Sequence, residues 1–508
     1  MGNFNPLYGI DFYKADHRNQ YPKGTTEVFS NWTARSSRID GVDEVVFFGL
    51  QYYLIKYLNE DWDTHFFLKR KDTIVNKYQD RMRSAGINIT VDHIEDLHDL
   101  GYLPLEFWAL PEGTHVPLKV PMFVVRNTHP EFFWLTNYIE SQLSNVIWGP
   151  CTSATIANRY RKLFIEAMEK TGGPVEFTEI QGHDFSYRGM YGTEAAALSG
   201  AGHLLSFKGT DNVPAIDMVH DYYYAIYEQI GGSIPATEHS VMCMGTKEDE
   251  RETYRRLIQD VYPNGPVSIV SDTWDYWKIL TETIPSLKHE ILARDGIVVI
   301  RPDSGDPVKI LCGDPEVNDP EINGPAKLGT IQLLWDIFGG TITDKGYKLL
   351  DPHIGAIYGD SITYERAQEI TKRLIAMGFV PTVVFGIGSF TYQHITRDTF
   401  GFAMKATAGV VNGEKREIFK DPVTDDGTKR SLKGYIAVYK NEDGNYYAKD
   451  QVEWKDVENC AFRCVWKDGL LRQDYHMNDI RKKVMEYVGE ESFITRWNEE
   501  MIMKNKKF

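Results

Sequence analysis

The sequence lacks the marks of a membrane or secreted protein. No apolar run reaches the roughly 20 residues that a membrane-spanning helix needs. The start, MGNFNPLYGIDFYKADH, has no basic stretch followed by an apolar one, as a signal peptide would have. The cysteines are few, five in 508 residues, and their odd number and scattered positions are typical of reduced thiols. We therefore expect a cytoplasmic protein without a membrane partner.

Basic residues are in the minority. The chain has 56 lysines and arginines against 72 aspartates and glutamates, a formal net charge of −16 at pH 7. General nucleic-acid binding needs a basic face, so this charge argues against a nucleic-acid partner. A small anionic substrate is not excluded, because a few local cations can form a positive pocket in an acidic protein.

One local pattern recurs between residues 175 and 410: a short run of apolar and β-branched residues that ends in a polar, glycine-bearing or charged turn. Seven instances are clear, and GFAMKATAG is a weaker eighth. The turns of the seven are marked by Asp184, Asp211, His239, Asp272, Asp303, Asp360 and Gly388. All but one of the intervals are 27 to 33 residues, about the length of a strand, a turn and a helix. Buried parallel strands with reactive residues at their carboxyl ends predict an α/β barrel with one active site.

The segments on either side of this region differ in character. Residues 1 to about 150 mix strand-like runs, such as TTEVFSNW, with helix-like ones, such as EFFWLTNYIESQLSNVIW. Residues from about 410 alternate in the β manner before the helix-like DIRKKVMEYVG. We expect neither flank to fold alone. The predicted domains are a barrel over residues 151–405 and a discontinuous α+β domain formed by residues 1–150 and 406–508.

One turn brings opposite charges together. In IRPDSGDP, Arg301 and Asp303 lie two residues apart at a strand end, so both side chains can lean to the same side and reach one ligand. Arginine supplies a planar set of donors, and aspartate accepts hydrogen bonds from hydroxyls such as those of a ribose. A structural turn with a local ion pair explains the same residues equally well, so both interpretations stay open.

Small and aromatic residues mark three more turns. YGDS and FGIGSF follow predicted strands with glycine and serine, where backbone N–H groups can converge on a phosphate. HDFSYRG adds Phe185, placed to stack on a flat ring, and the cation Arg188. Taken alone, Phe185 is better explained by core packing and Arg188 by a surface ion pair.

His239, in PATEHS, has the sharpest candidate role. It falls at a predicted strand end, with Glu238 beside it and Asp272 at the next strand end. A carboxylate on one imidazole nitrogen fixes the tautomer and makes the other nitrogen a better nucleophile. This arrangement would suit a general base or a phosphoryl acceptor.

Eight motifs, in this order and spacing, resemble those of the nicotinamide phosphoribosyltransferases, which are type II phosphoribosyltransferases. They are DFYKADH, HDFSYRG, FKGTDN, PATEHS, SIVSDTWD, IRPDSGDP, YGDS and FKDPV, and the match runs from about residue 8 to about residue 485. The resemblance implies an irregular α/β barrel that transfers the phosphoribosyl group of phosphoribosyl pyrophosphate to nicotinamide, giving nicotinamide mononucleotide for NAD salvage. It also implies Mg²⁺, ATP hydrolysis through a phosphohistidine at His239, and a homodimer with shared active sites.

The same resemblance implies roles for individual residues. Phe185 and Tyr13, the tyrosine coming from the other subunit, would enclose the pyridine ring, and Asp211 would accept a hydrogen bond from the carboxamide. Arg301 and Asp303 would lie around the amide and the ribose. The residues of the loops that hold the 5′-phosphate would be Gly359, Asp360, Gly388 and Ser389. The cations around pyrophosphate and ATP would be Arg35, Arg397, Lys405, Lys420 and Lys429.

The bond change indicates which catalytic groups are needed. Breaking the bond from ribose C1 to pyrophosphate develops oxocarbenium character, which nearby carboxylates stabilise. Asp303, with Asp272 and Glu238 near His239, supplies such carboxylates. The ring nitrogen of nicotinamide carries no proton and needs no base, which leaves His239 for energy coupling. The metal ligands stay open.

Two other functions remain open. One is a type II phosphoribosyltransferase that uses nicotinate or quinolinate, and Asp211 argues against it because a carboxylate would meet a like charge there. The other is a binding or signalling protein that keeps the barrel without catalysis, and the intact set of candidate residues argues against it. The second phosphate loop departs from the family pattern, since Ser389 and Phe390 stand where other members have glycines.

Overall fold

The computed structural model describes residues 5–225, 230–320, 322–420 and 432–486. Of these, one compact unit comprises residues 5–155, 217–225 and 395–484, and a second comprises residues 156–216, 230–394 and 485–486. The predicted domain bounds stay a prediction, and the two compact units begin and end at other residues. Every helix in the described part of the chain is too short or too polar to cross a membrane.

The strands of the described residues form a seven-stranded sheet, a six-stranded sheet and three pairs. In chain order they are β1 Thr25–Thr33, β2 Glu44–Val46, β3 Leu105–Ala109, β4 His115–Pro117, β5 Pro121–Asn127, β6 Gly182–Asp184, β7 Gly209–Thr210, β8 Val267–Val270, β9 Val298–Arg301, β10 Gly340–Ile342, β11 Lys348–Leu350, β12 Ile354–Tyr358, β13 Val383–Ile387, β14 Ala403–Val411, β15 Glu414–Glu417, β16 Tyr435–Lys440, β17 Tyr446–Val452, β18 Arg463–Lys467 and β19 Leu470–Leu471.

Most of the longer helices lie between these strands, and the last one follows them. The α-helices of six residues or more are α1 Lys71–Ser84, α2 Asp92–Leu100, α3 Glu140–Thr171, α4 Thr193–His203, α5 Val213–Tyr222, α6 His239–Met244, α7 Glu250–Arg256, α8 Pro307–Cys312, α9 Asn323–Phe338, α10 Tyr364–Ala376 and α11 Met477–Glu486, and a π-helix spans Tyr53–Asp61. The helix-like run EFFWLTNYIESQLSNVIW enters α3 only from Glu140 onward, and α3 continues through Pro150. Pro150 packs on Gly49, whose φ of +102° suits glycine and where a Cβ would lie 2.8 Å from the proline ring.

The second unit is built on a parallel sheet with the strand order β7-β6-β13-β12-β9-β8. Nearly all residues of these strands are buried. Helices lie between successive strands, as parallel pairing requires: α10, for example, joins β12 to β13. Six of the seven predicted strand positions and the α/β class are confirmed.

The seventh predicted strand, in SIPATEHS, is not a regular strand. Residues 232–237 make single bridges to both edges of the sheet, Gly232 with β7 and Ala236 with Ser268 of β8. Pro235 has no N–H to continue a ladder, although its carbonyl accepts from the Ser268 N–H at 2.8 Å. The bridges link the two edge strands, so the six strands and this segment form an irregular barrel.

GFAMKATAG, the weaker eighth instance, is wrong as a barrel strand. It lies in β14, which pairs antiparallel with β1 and β15 in the first unit. The full strand order of that sheet is β15-β14-β1-β5-β3-β18-β19, which combines N- and C-terminal segments as expected for a discontinuous α+β unit. Small and apolar residues suit both kinds of strand, so only the distant pairing partner distinguishes them.

A buried carboxylate ties segments of the first unit together. Glu112 is 2% exposed and accepts hydrogen bonds from the backbone N–H groups of Gly49 at 3.1 Å and Gln51 at 2.6 Å. The hydroxyl of Tyr223 donates a third at 3.0 Å. Burial raises the pKa of Glu112 to about 7, and the hydrogen bonds offset this effect only in part.

We expect Glu112 to make the stability of the protein depend on pH. Because its pKa rises on folding from 4.5 to about 7, the folded protein binds more protons between these values. The contribution of Glu112 to the free energy of unfolding is fully present below pH 4.5 and is lost as the pH rises through about 7. The loss is at most about 1.4 kcal/mol per pH unit. Between these pH values, the melting temperature should fall more steeply with pH for the wild type than for Glu112→Gln. Parallel curves of melting temperature against pH for the wild type and Glu112→Gln would contradict this expectation. As a control, Glu95→Gln, at an exposed position, should give the same curve as the wild type.

Candidate active site

The barrel strands are followed closely by residues that the sequence analysis singled out. These residues, each within two positions of a strand end, are Phe185 after β6, Asp211 after β7, Asp272 after β8, Asp303 after β9, Gly359 after β12 and Gly388 after β13. The carboxyl ends of parallel barrel strands meet at one end of the barrel, so these residues lie around one opening.

His239 and Asp272 form a hydrogen-bonded pair at this opening. The distance from His239 Nε2 to Asp272 Oδ1 is 3.1 Å. The Asp272 side chain is 5% exposed and that of His239 is 47% exposed, so a buried carboxylate holds an imidazole that ligands can reach. The second oxygen of Asp272 accepts the backbone N–H of Asp303 at 3.1 Å. A carboxylate oxygen can only accept, so Nε2 donates in this bond, and in the neutral form of the imidazole Nδ1 presents the lone pair.

Glu238 has a different partner. Its carboxylate accepts a hydrogen bond from the hydroxyl of Ser240, the second residue of α6. The acidic partner of the imidazole is thus Asp272, and a catalytic role for Glu238 stays a prediction.

Arg301 lies among several of the candidate carboxylates. Its Nη2 donates to the carbonyl of Thr237 at 2.6 Å, while its Nε is buried without a hydrogen-bond partner among the described residues. Burial raises the pKa of Asp303, the charge of Arg301 opposes this, and the charges of Asp272 and Asp360 add to it. Arg301, Asp272 and Asp360 therefore all lie near the Asp303 carboxylate, as expected for a site that binds a ligand of mixed charge.

Asp211 is held by a residue that the sequence analysis missed. Its Oδ1 accepts from His183 Nε2 at 2.9 Å. Burial acts to raise the pKa of Asp211, but the hydrogen bonds from His183 and Ser233 and the charge of Arg301 outweigh it, so the pKa is lowered. Asp211 is therefore an ionised acceptor at neutral pH.

Phe185 packs on His183, the residue that bonds Asp211, and is partly exposed. Its ring centroid is 4.6 Å from that of His183, two residues earlier, because alternate residues of an extended chain point to the same side. A Cβ at Gly386 would lie 2.5 Å from the Phe185 ring, and one at Gly359 would lie 2.8 Å from the Asp303 carboxylate. Glycine at both positions lets the neighbouring strands pack against these side chains.

The two candidate phosphate loops are joined to each other. Thr391 Oγ1 donates to the carbonyl of Ile362 at 2.9 Å, which links the loop after β13 to the loop after β12. Gly388 precedes a single helical turn, Ser389–Tyr392. The side chain of Phe390 is 52% exposed, and its ring lies 5.2 Å from that of His394.

The remaining barrel candidate is Arg188. It lies in the turn of 3₁₀-helix Tyr187–Gly189 and is exposed. Its ligand contact stays a prediction.

Three candidates, Tyr13, Arg35 and Arg397, lie in the first unit. The side chain of Tyr13 is 58% exposed, and its ring centroid lies 5.1 Å from that of His17. Arg35 Nε donates to the carbonyl of Gly401 at 2.7 Å. Arg397 lies 3.8 Å from the carboxylate of its neighbour Asp398.

Three of the five predicted phosphate-binding cations interact. Burial lowers the pKa of Lys405, and the charges of Arg35 and Lys420 lower it further against the opposing charge of Glu140. Like charges this close favour binding of an anion. The fifth cation, Lys429, lies outside the described residues.

Two residues of the site, His183 and Thr237, differ in whether the sequence could have indicated them. His183 stands two residues before Phe185, so strand periodicity could have indicated it. No sequence pattern indicates Thr237. Its carbonyl and its hydroxyl accept hydrogen bonds, and any small polar residue near a strand end could make such contacts.

We expect His183→Asn to raise the pKa of Asp211. Without the hydrogen bond from His183, burial is opposed only by Ser233 and Arg301. Carbon-13 NMR titration of protein labelled at the aspartate carboxyl carbons would measure this pKa, with Asp211→Asn as the assignment control. His353→Asn removes a histidine that bonds Asp351 at 2.7 Å and should leave the Asp211 titration unchanged. An unaltered pKa in His183→Asn would show that His183 does not set it.

Two family profiles match the chain. The nicotinate phosphoribosyltransferase (NAPRTase) family matches residues 180–460, and the N-terminal domain of nicotinamide phosphoribosyltransferase matches residues 5–107. A nicotinamide phosphoribosyltransferase of Acinetobacter baylyi is 52% identical over 503 residues, covering 96% of this chain and 98% of the relative. Another, of Xanthomonas campestris pv. campestris, is 32% identical and covers 94% of this chain and 97% of its own length.

Two solved structures share the fold. Nicotinate-nucleotide pyrophosphorylase from Pyrococcus furiosus has a TM-score of 0.57 and 14% identity, covering 95% of each chain. Human nicotinic acid phosphoribosyltransferase has a TM-score of 0.55 and 15% identity, covering 94% of this chain and 92% of its own. At these identities the similarity concerns the fold alone, and it confirms the predicted barrel type.

Proposed function

Because this chain belongs to the nicotinamide phosphoribosyltransferases, within the nicotinate phosphoribosyltransferase family, we propose that it transfers the 5-phosphoribosyl group of phosphoribosyl pyrophosphate to nicotinamide. The products are nicotinamide mononucleotide and pyrophosphate, and the protein is an enzyme of NAD salvage. The ionised carboxylate of Asp211, bonded to the histidine on which Phe185 packs, is the observation that carries the choice of base.

Asp211 selects the amide. A carboxylate has acceptor sites on both oxygens, so Asp211 can keep its bond to His183 and still accept from the carboxamide N–H₂. The pyridine ring then lies on Phe185. Nicotinate would bring a second carboxylate to an ionised one and would leave it without a donor.

The ribose and its phosphate bind at the remaining strand ends. Arg301 and Asp303 lie around the amide and the ribose hydroxyls, and the buried Nε of Arg301 is a donor in need of a partner. The 5′-phosphate lies on the joined loops that contain Gly359, Asp360 and Gly388, whose backbone N–H groups can converge on it, together with that of Ser389.

The reaction follows from these positions. As the bond between ribose C1 and the pyrophosphate oxygen breaks, positive charge develops at C1, and the carboxylates of Asp303 and Asp360 stabilise it. The lone pair of the nicotinamide ring nitrogen then forms the new bond to C1. No proton is transferred in this step, because the ring nitrogen carries none.

Mg²⁺ is the ion that we propose for this reaction. Asp272, Asp303 and Asp360 offer the carboxylate oxygens that it prefers. Among the described residues no three acidic, histidine or cysteine side chains are arranged to hold a metal, which suits an ion bound through one or two carboxylates and the substrate phosphates. When bound, it would neutralise charge on the departing pyrophosphate.

Five cations and one exposed aromatic ring have the remaining proposed binding roles. Arg35, Lys405 and Lys420, with Arg397 and Lys429, bind the pyrophosphate and the phosphates of ATP. We propose a homodimer in which the exposed ring of Tyr13 covers the nicotinamide bound by the partner subunit. A cytoplasmic location is proposed as well, and it is supported by the five cysteines, all of them free thiols.

His239 couples ATP hydrolysis to the transfer. The lone pair of Nδ1 attacks the γ-phosphorus of ATP, a nitrogen–phosphorus bond forms, and the bond to the ADP oxygen breaks. The proton on Nε2 stays in its hydrogen bond to Asp272, which stabilises the cationic imidazole that results.

The proposal as a whole is tested by finding which pyridine base the protein uses as a substrate. Purified protein should be incubated with phosphoribosyl pyrophosphate, Mg²⁺ and either nicotinamide, nicotinate or quinolinate, and the products read by mass. We expect nicotinamide mononucleotide from nicotinamide alone. Formation of a nicotinate or quinolinate nucleotide would show that the proposed substrate is wrong, although the fold assignment would stand. The lack of any product would favour a binding or signalling protein.

We expect Asp211→Asn to lose preference for the amide. The loss of a hydrogen bond to a charged acceptor should lower kcat/KM for nicotinamide by about 10- to 100-fold. The ratio of nicotinate to nicotinamide turnover should rise, because the like charge is gone. Steady-state kinetics with both bases measure this, and Asp217→Asn, at an exposed position, should behave as the wild type. An unchanged ratio would remove Asp211 from base selection.

We expect His239→Ala to lose ATP hydrolysis and to keep part of the transfer activity measured without ATP. The phosphoryl acceptor is gone, while the groups around ribose C1 remain. Release of phosphate from ATP and formation of nicotinamide mononucleotide should be followed in parallel, with exposed His289→Ala as the matched control. Normal ATP hydrolysis by His239→Ala would end this role for the residue.

A further inference from the structure

A cavity of about 280 Å³ lies in the first unit, lined by none of the residues assigned above. Its lining includes Arg18 and His93, the hydroxyl residue Thr25, the ring of Phe132, and the acidic residues Asp96 and Glu131. By the volume that water occupies in the liquid, the cavity has room for about nine water molecules or one small organic ligand.

Two residues that line this cavity each have a buried nitrogen without a hydrogen-bond partner among the described residues. His93 is 5% exposed, and its Nδ1 is buried without a hydrogen-bond partner among the described residues. The same holds for Nε of Arg18. The ring of Trp134, which is not part of the lining, packs edge-on against His93 at 4.8 Å. Buried polar atoms nearly always have partners, so the unpartnered nitrogens of two lining residues make this cavity a candidate binding site.

Charge divides the cavity into an inner and an outer part. The charge of Arg18 reaches buried His93, where burial and this charge both lower the imidazole pKa, to about 3, so the ring is neutral. The inner part therefore has one guanidinium and a neutral imidazole. Asp96 and Glu131 are exposed and form the outer, negative part.

From this arrangement we propose that the cavity binds a small zwitterion of the amino-acid type, with its carboxylate on Arg18 and His93 and its ammonium group between Asp96 and Glu131. A guanidinium can bind a carboxylate through two parallel hydrogen bonds. A phosphate dianion is a poorer match, because two exposed carboxylates at the entrance repel it. The aliphatic part of the ligand lies against the ring of Phe132.

A charge-deletion series tests the ligand class. Isothermal titration calorimetry on the full-length protein should compare 4-aminobutanoate with butanoate and butylamine, and glycine, β-alanine and 5-aminopentanoate should be added to vary the distance between the charges. We expect at least one amino acid to bind about tenfold more tightly than butanoate or butylamine, since each lost charge-assisted hydrogen bond weakens binding by about this factor or more. Butanoate binding as tightly as the best amino acid would overturn the zwitterion.

Variants test the place of binding. Arg18→Gln should weaken binding of the best amino acid by about tenfold, whereas Arg83→Gln, at an exposed arginine of α1, should not. The double variant Asp96→Asn with Glu131→Gln, at exposed positions that should not affect folding, should reduce amino-acid binding to the level of butanoate. If Arg18→Gln and the double variant both bind as the wild type does, or if no probe binds at millimolar concentration, the proposal fails and the cavity holds water only.

Discussion

Thr237 uses its N–H, its hydroxyl and its carbonyl at once. The N–H donates to the backbone carbonyl of Ser268 at 3.0 Å, and the hydroxyl accepts from the N–H of Val270 at 2.9 Å. The carbonyl accepts from Nη2 of Arg301 at 2.6 Å. These bonds fix residues 232–237 against β8 where no regular strand forms. His239, two residues later, depends on them for its position beside Asp272.

The electrostatics of the opening depend on Arg301 in a similar way. Its charge stabilises the ionised forms of Asp211 and Asp303, whose carboxylates are otherwise disfavoured by burial. Asp211 also has His183, so its pKa is lowered, whereas Asp303 has two like charges nearby and its pKa is raised. One arginine thus favours the ionised forms of both carboxylates, the one proposed to accept from the amide and the one proposed to lie near the ribose.

Much of this arrangement could be predicted from the sequence, because it follows from strand ends. Asp272, Asp303 and Gly388 each follow a buried run, and parallel strands bring their ends together. The irregular segment 232–237 could not be predicted, since Pro235 breaks a ladder that its neighbours otherwise favour. GFAMKATAG was misassigned because composition does not specify which distant strand will pair with it.

The central claim is that a nicotinamide nucleotide lies across the carboxyl ends of these strands. A crystal structure of the full-length protein with nicotinamide mononucleotide tests it most directly. We expect the carboxamide nitrogen within hydrogen-bond distance of Asp211, the pyridine ring on Phe185, and the 5′-phosphate on the loops of Gly359 and Gly388. A nucleotide bound elsewhere, or one with its phosphate next to Asp211, would contradict the account.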